Sequence, residues 1–266
     1  MTLRRKALLL GLNYVGTAAE LQGCQQDVKD LAAWLTQTLH WDPDDLLLMT
    51  DATPITPTRQ AMVRALRDLA LWSHRHPGSH VFISYSGHGS QVADTGGDER
   101  DRQDEVLVPL DWQTAGLISD DEFGRLLRQF HASTDVVCVV DACHSGTVGD
   151  LPHHVIAGNE FVIENDNPCD ARVLLISGCD DLQTSAEVLN LAGEARVNGV
   201  MTTSFLRVVH ERQDITCLNL LRHMWDFLQT RGYIQRPQLT SSRPLTETTV
   251  FITGRPQQPF FIRPEG

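Results

Sequence analysis

Two short glycine-rich motifs supply a histidine and a cysteine that could work together in nucleophilic catalysis. The first motif is SGHG at residues 86–89, which contains His88, and the second is DACHSG at residues 141–146, which contains Cys143. A neighbouring imidazole can lower the pKa of a thiol enough to give a thiolate at neutral pH. A thiolate attacks carbonyl carbon, and the imidazolium can then protonate the leaving group. These residue types predict Cys143 as nucleophile and His88 as its acid–base partner.

Each of the two residues has a simpler explanation when it is taken alone. A single cysteine most often packs as a small buried apolar side chain, and a histidine in a turn can be satisfied by backbone groups. The two motifs together favour catalysis, since glycines flank His88 and follow Cys143 and would let a substrate backbone approach closely. Both motifs also follow strand-like segments directly.

The segments that precede the motifs are apolar and short, as buried strands are. HVFISY at residues 80–85 leads into the first motif, and VVCVV at residues 136–140 leads into the second. Along the chain, strand-like segments alternate with amphipathic helix-like segments, such as residues 24–40. This alternation predicts an α/β fold with a mainly parallel central sheet and helices on both faces. Ligands bind at the carboxyl ends of such strands, where both motifs are expected.

The composition is that of an acidic globular protein. The 266 residues carry a net charge of −12, and the sequence pI is about 5.3. This charge disfavours nucleic acid and anionic membranes as partners, and it favours basic peptides and divalent metals. The six cysteines form no CxxC pair, and the apolar run at residues 7–12 is too short for a secretory signal. We therefore expect a cytoplasmic protein with reduced thiols.

Acidic residues are concentrated between residues 94 and 122. This stretch contains ten Asp and Glu residues against two arginines, a local charge of −8. Most acidic runs are solvated loops. Clustered carboxylates on loops are also the hard oxygen ligands that Ca²⁺ prefers.

Several motifs in register resemble those of the metacaspases, cysteine peptidases of clan CD and family C14. YSGHG (85–89) and DACHSG (141–146) carry the resemblance most strongly, and the 55-residue interval between His88 and Cys143 is close to the interval of about 50 residues known from caspases. Other segments that look like those of metacaspases are GLNY (11–14), GCQQDV (23–28), DEVLVPLD (104–111), ISDDE (118–122) and ISGCDDLQTSAE (176–187). The resemblance covers almost the whole chain.

The resemblance implies a caspase-haemoglobinase fold in one compact catalytic domain. Residues 1–150 would form the large-subunit-like (p20) region, residues 151–170 a linker, and residues 171–266 the small-subunit-like (p10) region. It also implies a compact form without the N-terminal prodomain of many metacaspases, and a monomer.

The activity implied is that of an endopeptidase that cleaves after arginine or lysine. The backbone N–H groups of Gly89 and Cys143 would hold the oxyanion, and four residues would line an acidic S1 pocket: Cys24, Asp27, Ser86 and Asp141. A carboxylate pair in a partly dry pocket favours a guanidinium or ammonium group and penalises an acidic one. Without the resemblance, Asp27 would be better explained as a partner of a helix dipole.

The resemblance also implies activation by Ca²⁺. Asp104, Asp120, Asp121 and Asp150 match the four aspartates that bind calcium in calcium-dependent metacaspases. Mg²⁺ would be a poor substitute because it demands a tighter octahedron. A purely structural role is the alternative for Asp120 and Asp121, which also begin a predicted helix.

Self-cleavage is restricted by the positions of the basic residues. Residues 129–171 contain no lysine or arginine, so an enzyme with basic specificity would leave its own linker uncut. Arg196, in the segment GEARVNG, is the remaining candidate site, or else an ordinary loop cation. His144, His153 and His154 have loose spacing, which favours exposed histidines over metal ligands.

Two other functions remain open at this point. One is a related clan-CD peptidase with a different P1 preference, although no arginine lies in these motifs to bind an acidic P1 residue. The other is a catalytically silent caspase-like adaptor. The presence of both His88 and Cys143 argues against a silent module.

Overall fold

The structure of the protein is a computed structural model that describes most of the chain. The described residues are 3–93, 103–142, 149–156, 160–163, 168–179, 187–189, 197–212, 215–233, 235–245, 250–251 and 261–262. The helices are α1 (Cys24–Ala33), α2 (Arg59–Arg75), α3 (Trp112–Ala115), α4 (Asp120–Leu127), α5 (Val200–Glu211) and α6 (Cys217–Gln229).

An eight-stranded sheet forms the centre of the molecule, in the order β2-β1-β3-β7-β10-β14-β8-β9. The first five strands of this order run parallel, and the last three continue it antiparallel. The strands are β1 (Arg5–Gly11), β2 (Leu46–Thr50), β3 (His80–Ser86), β7 (Asp135–Asp141), β8 (His153–Ile156), β9 (Glu160–Ile163), β10 (Arg172–Cys179) and β14 (Arg236–Ser241).

Smaller sheets lie outside this central sheet. Two strands pair as β11 (Glu187–Leu189) with β12 (Val197–Gly199). A three-stranded sheet contains β4 (Gly89–Ala93), β5 (Gln103–Leu107) and β6 (Ile118–Ser119), and another contains β13 (Ile215–Thr216), β15 (Val250–Phe251) and β16 (Phe261–Ile262). The sequence predicts that residues 106–110 leave the central sheet, and β5 with Val106 does lie in a separate sheet.

Helices pack on both faces of the sheet because successive strand residues point to opposite sides. In β7, Val137 and Val139 face the core formed with α1, α5 and α6. The alternate residues Val136, Cys138 and Val140 face the core formed with α2 and α4. This arrangement confirms the predicted α/β fold with a mainly parallel sheet and two helical layers.

In the sequence, Ser119 with Glu122 predicts a capping box for a helix that runs to about residue 130, and Thr216 predicts the cap of a helix at 217–230. Both caps are confirmed, with one difference in detail. The side chains of Ser119 and Thr216 accept hydrogen bonds from the N–H groups three residues on, and so begin α4 and α6. Glu122 does not complete the predicted capping box with Ser119, because its carboxylate pairs with Arg59 of α2. This ion pair links α2 to α4.

Three sequence-based expectations about strands were wrong or incomplete. The stretch 151–170 was expected to be irregular, but β8 and β9 lie in it and extend the central sheet beyond β14. The strand β14 was not predicted, because Pro237 and its polar neighbours hide the strand pattern. The last predicted strand, 248–252, is described only at Val250–Phe251, in a small separate sheet.

Candidate active site

His88 lies in the turn between β3 and β4, where the sequence places it. Its ring is half-buried, and Nε2 lies 2.8 Å from the carbonyl oxygen of Ala19. A carbonyl only accepts hydrogen bonds, so Nε2 carries the hydrogen in this contact. In the neutral imidazole, Nδ1 is then the basic nitrogen. The loop after β1 therefore fixes the tautomer of His88.

Two tyrosine hydroxyls hold the backbone of His88 on both sides. The His88 N–H donates to the Tyr14 hydroxyl (3.0 Å), and the Tyr85 hydroxyl donates to the His88 carbonyl (2.7 Å). The Tyr14 hydroxyl in turn donates to the Val108 carbonyl (2.6 Å), and its ring centroid lies 4.8 Å from that of His88. Burial raises the pKa of both tyrosines, so both hydroxyls keep the protons that they donate.

The residue after His88 presents its N–H away from the neighbouring strand. The His88 carbonyl accepts a hydrogen bond from the Val108 N–H (3.3 Å), and Gly89 pairs with Leu107 at the next position of the ladder. Hydrogen-bonded and non-hydrogen-bonded pairs alternate between antiparallel strands. The Gly89 N–H therefore points away from β5, as a group that binds an oxyanion must.

Cys143 lies outside the described residues, so its distance from His88 stays a prediction. The strand that leads to it ends at Asp141, which is paired with Ser86 at the end of β3. The Gly87 N–H donates to the Asp141 carbonyl (3.2 Å). The two motifs thus begin at neighbouring strand ends on the same edge of the sheet.

The residues predicted for the S1 pocket converge at that edge. Asp27 on α1 is fully buried, and it accepts a hydrogen bond of 2.5 Å from the Ser86 hydroxyl. Asp141 is also buried, at the end of β7. Cys24 begins α1 one turn before Asp27 and is buried as well. α1 comes this close to β1 because Gly11 has no side chain, since a Cβ there would collide with the Cys24 carbonyl.

Two residues from the second half of the chain also contact this acid pair. The Gly199 N–H donates to Asp27 Oδ1 (2.9 Å), and the Thr202 N–H donates to Asp141 Oδ2 (2.7 Å). Gly199 has φ −63° and ψ 143°, which any residue could adopt. Glycine is needed for space, because a Cβ would come within 3.0 Å of both carboxylates. Sequence reasoning missed both residues, since their backbone groups make the contacts.

The acid pair is electrostatically unusual. Burial raises the pKa of Asp27 well above its ordinary value, and the charge of Asp141 raises it further, against the hydrogen bonds from Ser86 and Gly199. Burial also raises the pKa of Asp141, against hydrogen bonds from Thr202 and the Met201 backbone. Within the described residues, neither carboxylate forms an ion pair with a Lys, Arg or His side chain. The pair therefore lacks a cation there.

The aspartates predicted to bind calcium are only partly described. Asp120 is buried, and its Oδ1 and Oδ2 accept hydrogen bonds from the N–H groups of Asp121 (2.7 Å) and Glu105 (3.2 Å). Asp150 is buried too, and its Oδ2 lies 3.5 Å from Nη1 of Arg128. The side chain of Asp104 lies outside the described part of the chain. No three described His, Cys, Asp or Glu side chains form a group that could hold a metal ion.

Asp120 and Asp104 belong to neighbouring segments, since Asp120 binds the backbone N–H of the residue after Asp104. Asp150, by contrast, has a guanidinium as its partner. The described side chains are therefore compatible with a cation site at the start of α4, without forming one.

Other residues singled out in the sequence have structural roles or lie outside the described residues. Arg196 and His144 belong to the latter. His154 was expected to be exposed, but it is buried, and its Nε2 hydrogen-bonds Gln238 of β14. This correction follows from strand β8, which carries His154 into the sheet.

A groove of about 870 Å³ lies beside the edge strand β2 and α2. It is lined by residues such as Leu47, Ile55 and Trp72, and it contains none of the predicted site residues. The chemistry-bearing side chains are therefore not associated with this groove.

Comparison with known proteins gives agreement over most of the chain. Residues 5–152 match the model of the metacaspase, peptidase C14 domain. Metacaspase-1 of Mycosarcoma maydis is 34% identical, in an alignment that covers 94% of this chain and 73% of the relative. Metacaspase-1B of Neurospora crassa is 31% identical over 94% of this chain and 69% of its own length.

A solved structure of a protein from Geobacter sulfurreducens has the same overall arrangement. It superimposes with a TM-score of 0.61 at 26% sequence identity, and the match covers 95% of this chain and 97% of that one. Among the described residues, no helix is both long and apolar enough to cross a membrane.

Proposed function

Because the chain belongs to the metacaspase family of cysteine peptidases, peptidase C14, we propose that it is an endopeptidase that cleaves peptide bonds after arginine or lysine. Cys143 is the nucleophile in this proposal and His88 its acid–base partner. The observation that carries the proposed specificity is the acid pair Asp27–Asp141. The pair is buried at the strand ends next to His88, and no described Lys, Arg or His side chain forms an ion pair with it.

The proposed reaction has two stages, in which His88 moves one proton. The Cys143 thiolate attacks the carbonyl carbon, so that an S–C bond forms and the C–N bond breaks, while His88 protonates the leaving amine. A water molecule then gives a proton to His88 as its oxygen forms a C–O bond with the thioester carbon. The S–C bond breaks, which releases the carboxylic acid and restores the Cys143 thiolate. The Nε2–Ala19 contact supports this role, since it leaves Nδ1 as the nitrogen that exchanges the proton.

The developing negative charge on the carbonyl oxygen requires donors that are already in place. The Gly89 N–H points away from β5, which makes it available for this role together with the N–H of Cys143. The tyrosine hydroxyls that hold the His88 peptide groups keep this turn in one conformation.

Calcium is proposed as an activator. Asp104, Asp120, Asp121 and Asp150 would provide oxygen ligands, and the bound cation would offset part of the negative charge of the acidic stretch at residues 94–122. Support comes from the buried Asp120 carboxylate, which binds the backbone next to Asp104. Asp150 would have to exchange its partner Arg128 for the metal.

The test is hydrolysis of fluorogenic peptides with Arg, Lys, Asp or Asn at P1, with calcium or with a chelator. We expect turnover of the Arg and Lys peptides only, lower rates in chelator, and no turnover by Cys143→Ala. Cys217→Ala removes a different buried thiol, at the start of α6, and should remain active.

Turnover of the Asp peptide but not the Arg peptide would overturn the specificity, and undiminished cleavage by Cys143→Ala would overturn the mechanism. Equal rates in chelator would remove the calcium proposal.

A further inference from the structure

The two carboxylates of the acid pair lie too close together, in too dry a place, for both to be ionised at low cost. A single Cβ position at Gly199 would contact Oδ2 of both Asp27 and Asp141. That position lies 2.3 Å from the Asp141 oxygen and 2.7 Å from the Asp27 oxygen, so the two oxygens are at most 5.0 Å apart. Like charges repel strongly at such a distance in a buried site.

The described groups around the pair supply hydrogen bonds but no positive charge. Asp27 is contacted by the hydroxyl of Ser86 from β3 and by the N–H of Gly199 from β12. Asp141 is contacted by the N–H of Thr202 from α5. Such dipoles stabilise one negative charge well, but they do not compensate for two.

The described titratable residues on the surrounding elements add no positive charge that would compensate for a second ionised carboxylate. On α1, the nearest acidic group beyond the pair is Asp30, whose charge opposes ionisation of Asp27 further. Cys24 lies one turn before Asp27 on the same helix. Among the described residues of β3, β7, β12 and α5 that contact the pair, none is a lysine, arginine or histidine.

We propose that Asp27 and Asp141 hold one proton between them in the free enzyme, and that a basic P1 side chain displaces this proton when it binds. The pair then changes from one negative charge to two as the proton passes to solvent, and the guanidinium or ammonium group compensates for the second charge. This inference rests on the proposed function, since it concerns the same pocket. The affinity for a basic substrate would then depend on pH because the acid pair gains or loses its shared proton, and not because His88 does.

The sign of the pH effect follows from competition between the proton and the cation. At lower pH the higher proton concentration competes better with the cation for the pair, so the dissociation constant of a basic P1 peptide rises, by up to about tenfold per pH unit. Gly199 is essential to the shared proton, because only a residue without a side chain lets the backbone N–H reach Asp27 while both carboxylates stay adjacent.

The experiment is titration calorimetry of Cys143→Ala with an uncleaved peptide that has arginine at P1. At neutral pH, the binding enthalpy is measured in phosphate and in Tris, which differ in ionisation enthalpy. We expect the difference to correspond to the release of about one proton per peptide bound. The double variant with Asp141→Asn should release close to none, whereas the control Asp68→Asn, on the exposed face of α2, should release as many as the parent.

The outcomes separate this inference from the proposed function. Tight binding of the arginine peptide with no proton released, and with a dissociation constant independent of pH, would overturn the shared proton while leaving the basic specificity intact. Failure of the peptide to bind at any pH, in a protein whose melting temperature is normal, would overturn both. If the Asp141→Asn variant fails to fold, the buffer dependence and pH dependence of the parent still decide the matter.

Discussion

The hydroxyl group of Tyr14 connects the loop after β1 to the backbone of His88. It accepts the His88 N–H and donates to the Val108 carbonyl, so it ties three segments together at the turn that carries the proposed base. Tyr14 itself has φ 52°, a conformation that non-glycine residues adopt at a cost. Its hydrogen bonds offset this cost.

Replacing Tyr14 with Phe should lower kcat about tenfold while KM changes little. The ring contact with His88 is kept, but the buried His88 N–H loses its partner, which typically costs about 1–3 kcal/mol and loosens the turn. Steady-state kinetics on an arginine peptide measures the two constants separately. Tyr233→Phe, beyond α6, is the matched control and should behave as wild type. A change confined to KM, or an equal loss in the control, would contradict the positioning role.

At the level of residues, the sequence motifs predict side chains better than backbone contacts. Asp27, Ser86 and Asp141 were predicted as one pocket, and they do converge. Gly199 and Thr202 could not be found in this way, because their main-chain N–H groups act and any residue type supplies an N–H. The one sequence signal is Gly199 itself, whose missing side chain leaves the space.

The amino ends of three neighbouring strands carry a buried ionic cluster, on the edge opposite the active site. Asp135 at the start of β7 lies between His80 of β3 (3.4 Å to Nε2) and Arg172 of β10 (2.5 Å to Nη2). Burial, together with the charges of Arg5 and Arg172, lowers the pKa of His80 to about 4. His80 is therefore neutral in the folded protein at neutral pH.

This cluster predicts a loss of stability in mild acid. In the unfolded chain His80 takes up a proton near pH 6.5, but in the folded protein only near pH 4. Between these values the unfolded state binds more protons, so the contribution is complete above about pH 6.5 and is lost as pH falls toward 4. The free energy of unfolding in urea, determined at several pH values, measures this contribution. His80→Asn should flatten this part of the pH dependence, while His223→Gln should not; an unchanged slope in His80→Asn would contradict the argument.

At the level of elements, continuous apolar runs made β1, β3, β7 and β10 predictable, since buried parallel strands need no alternation. β14 escaped prediction because Pro237 and the polar residues Gln238 and Thr240 suggest a loop. These residues are nevertheless buried, and Gln238 is satisfied by His154 across the sheet. Only the tertiary partner explains such a strand.

At the level of the whole molecule, the two regions predicted from the resemblance share one sheet and one pocket. β7 of residues 1–150 pairs with β10 of residues 171–266, and the acid pair of the first region receives N–H groups from Gly199 and Thr202 of the second. The connecting stretch contains β8 and β9 and no lysine or arginine. We therefore expect the uncut chain to be active, and division into large and small regions to require no cleavage between them.

The family could be predicted from the sequence because several motifs occur in register, and the family comparisons confirm it. The dyad distance could not be predicted, since it depends on how the turn after β7 folds around Cys143. The four aspartates predicted to bind calcium come from separate segments, so their convergence on one cation stays a prediction. Spacing along the chain does not fix such distances.

The most direct test of the account is a comparison of two peptides that differ only at P1, one with arginine and one with citrulline. Citrulline keeps the shape of arginine but has no charge, so it probes the acid pair alone. We predict that kcat/KM for the arginine peptide is higher by at least about a hundredfold, and that Asp141→Asn reduces this ratio. Equal kcat/KM values for the two peptides would contradict the claim that the buried acid pair selects a basic residue.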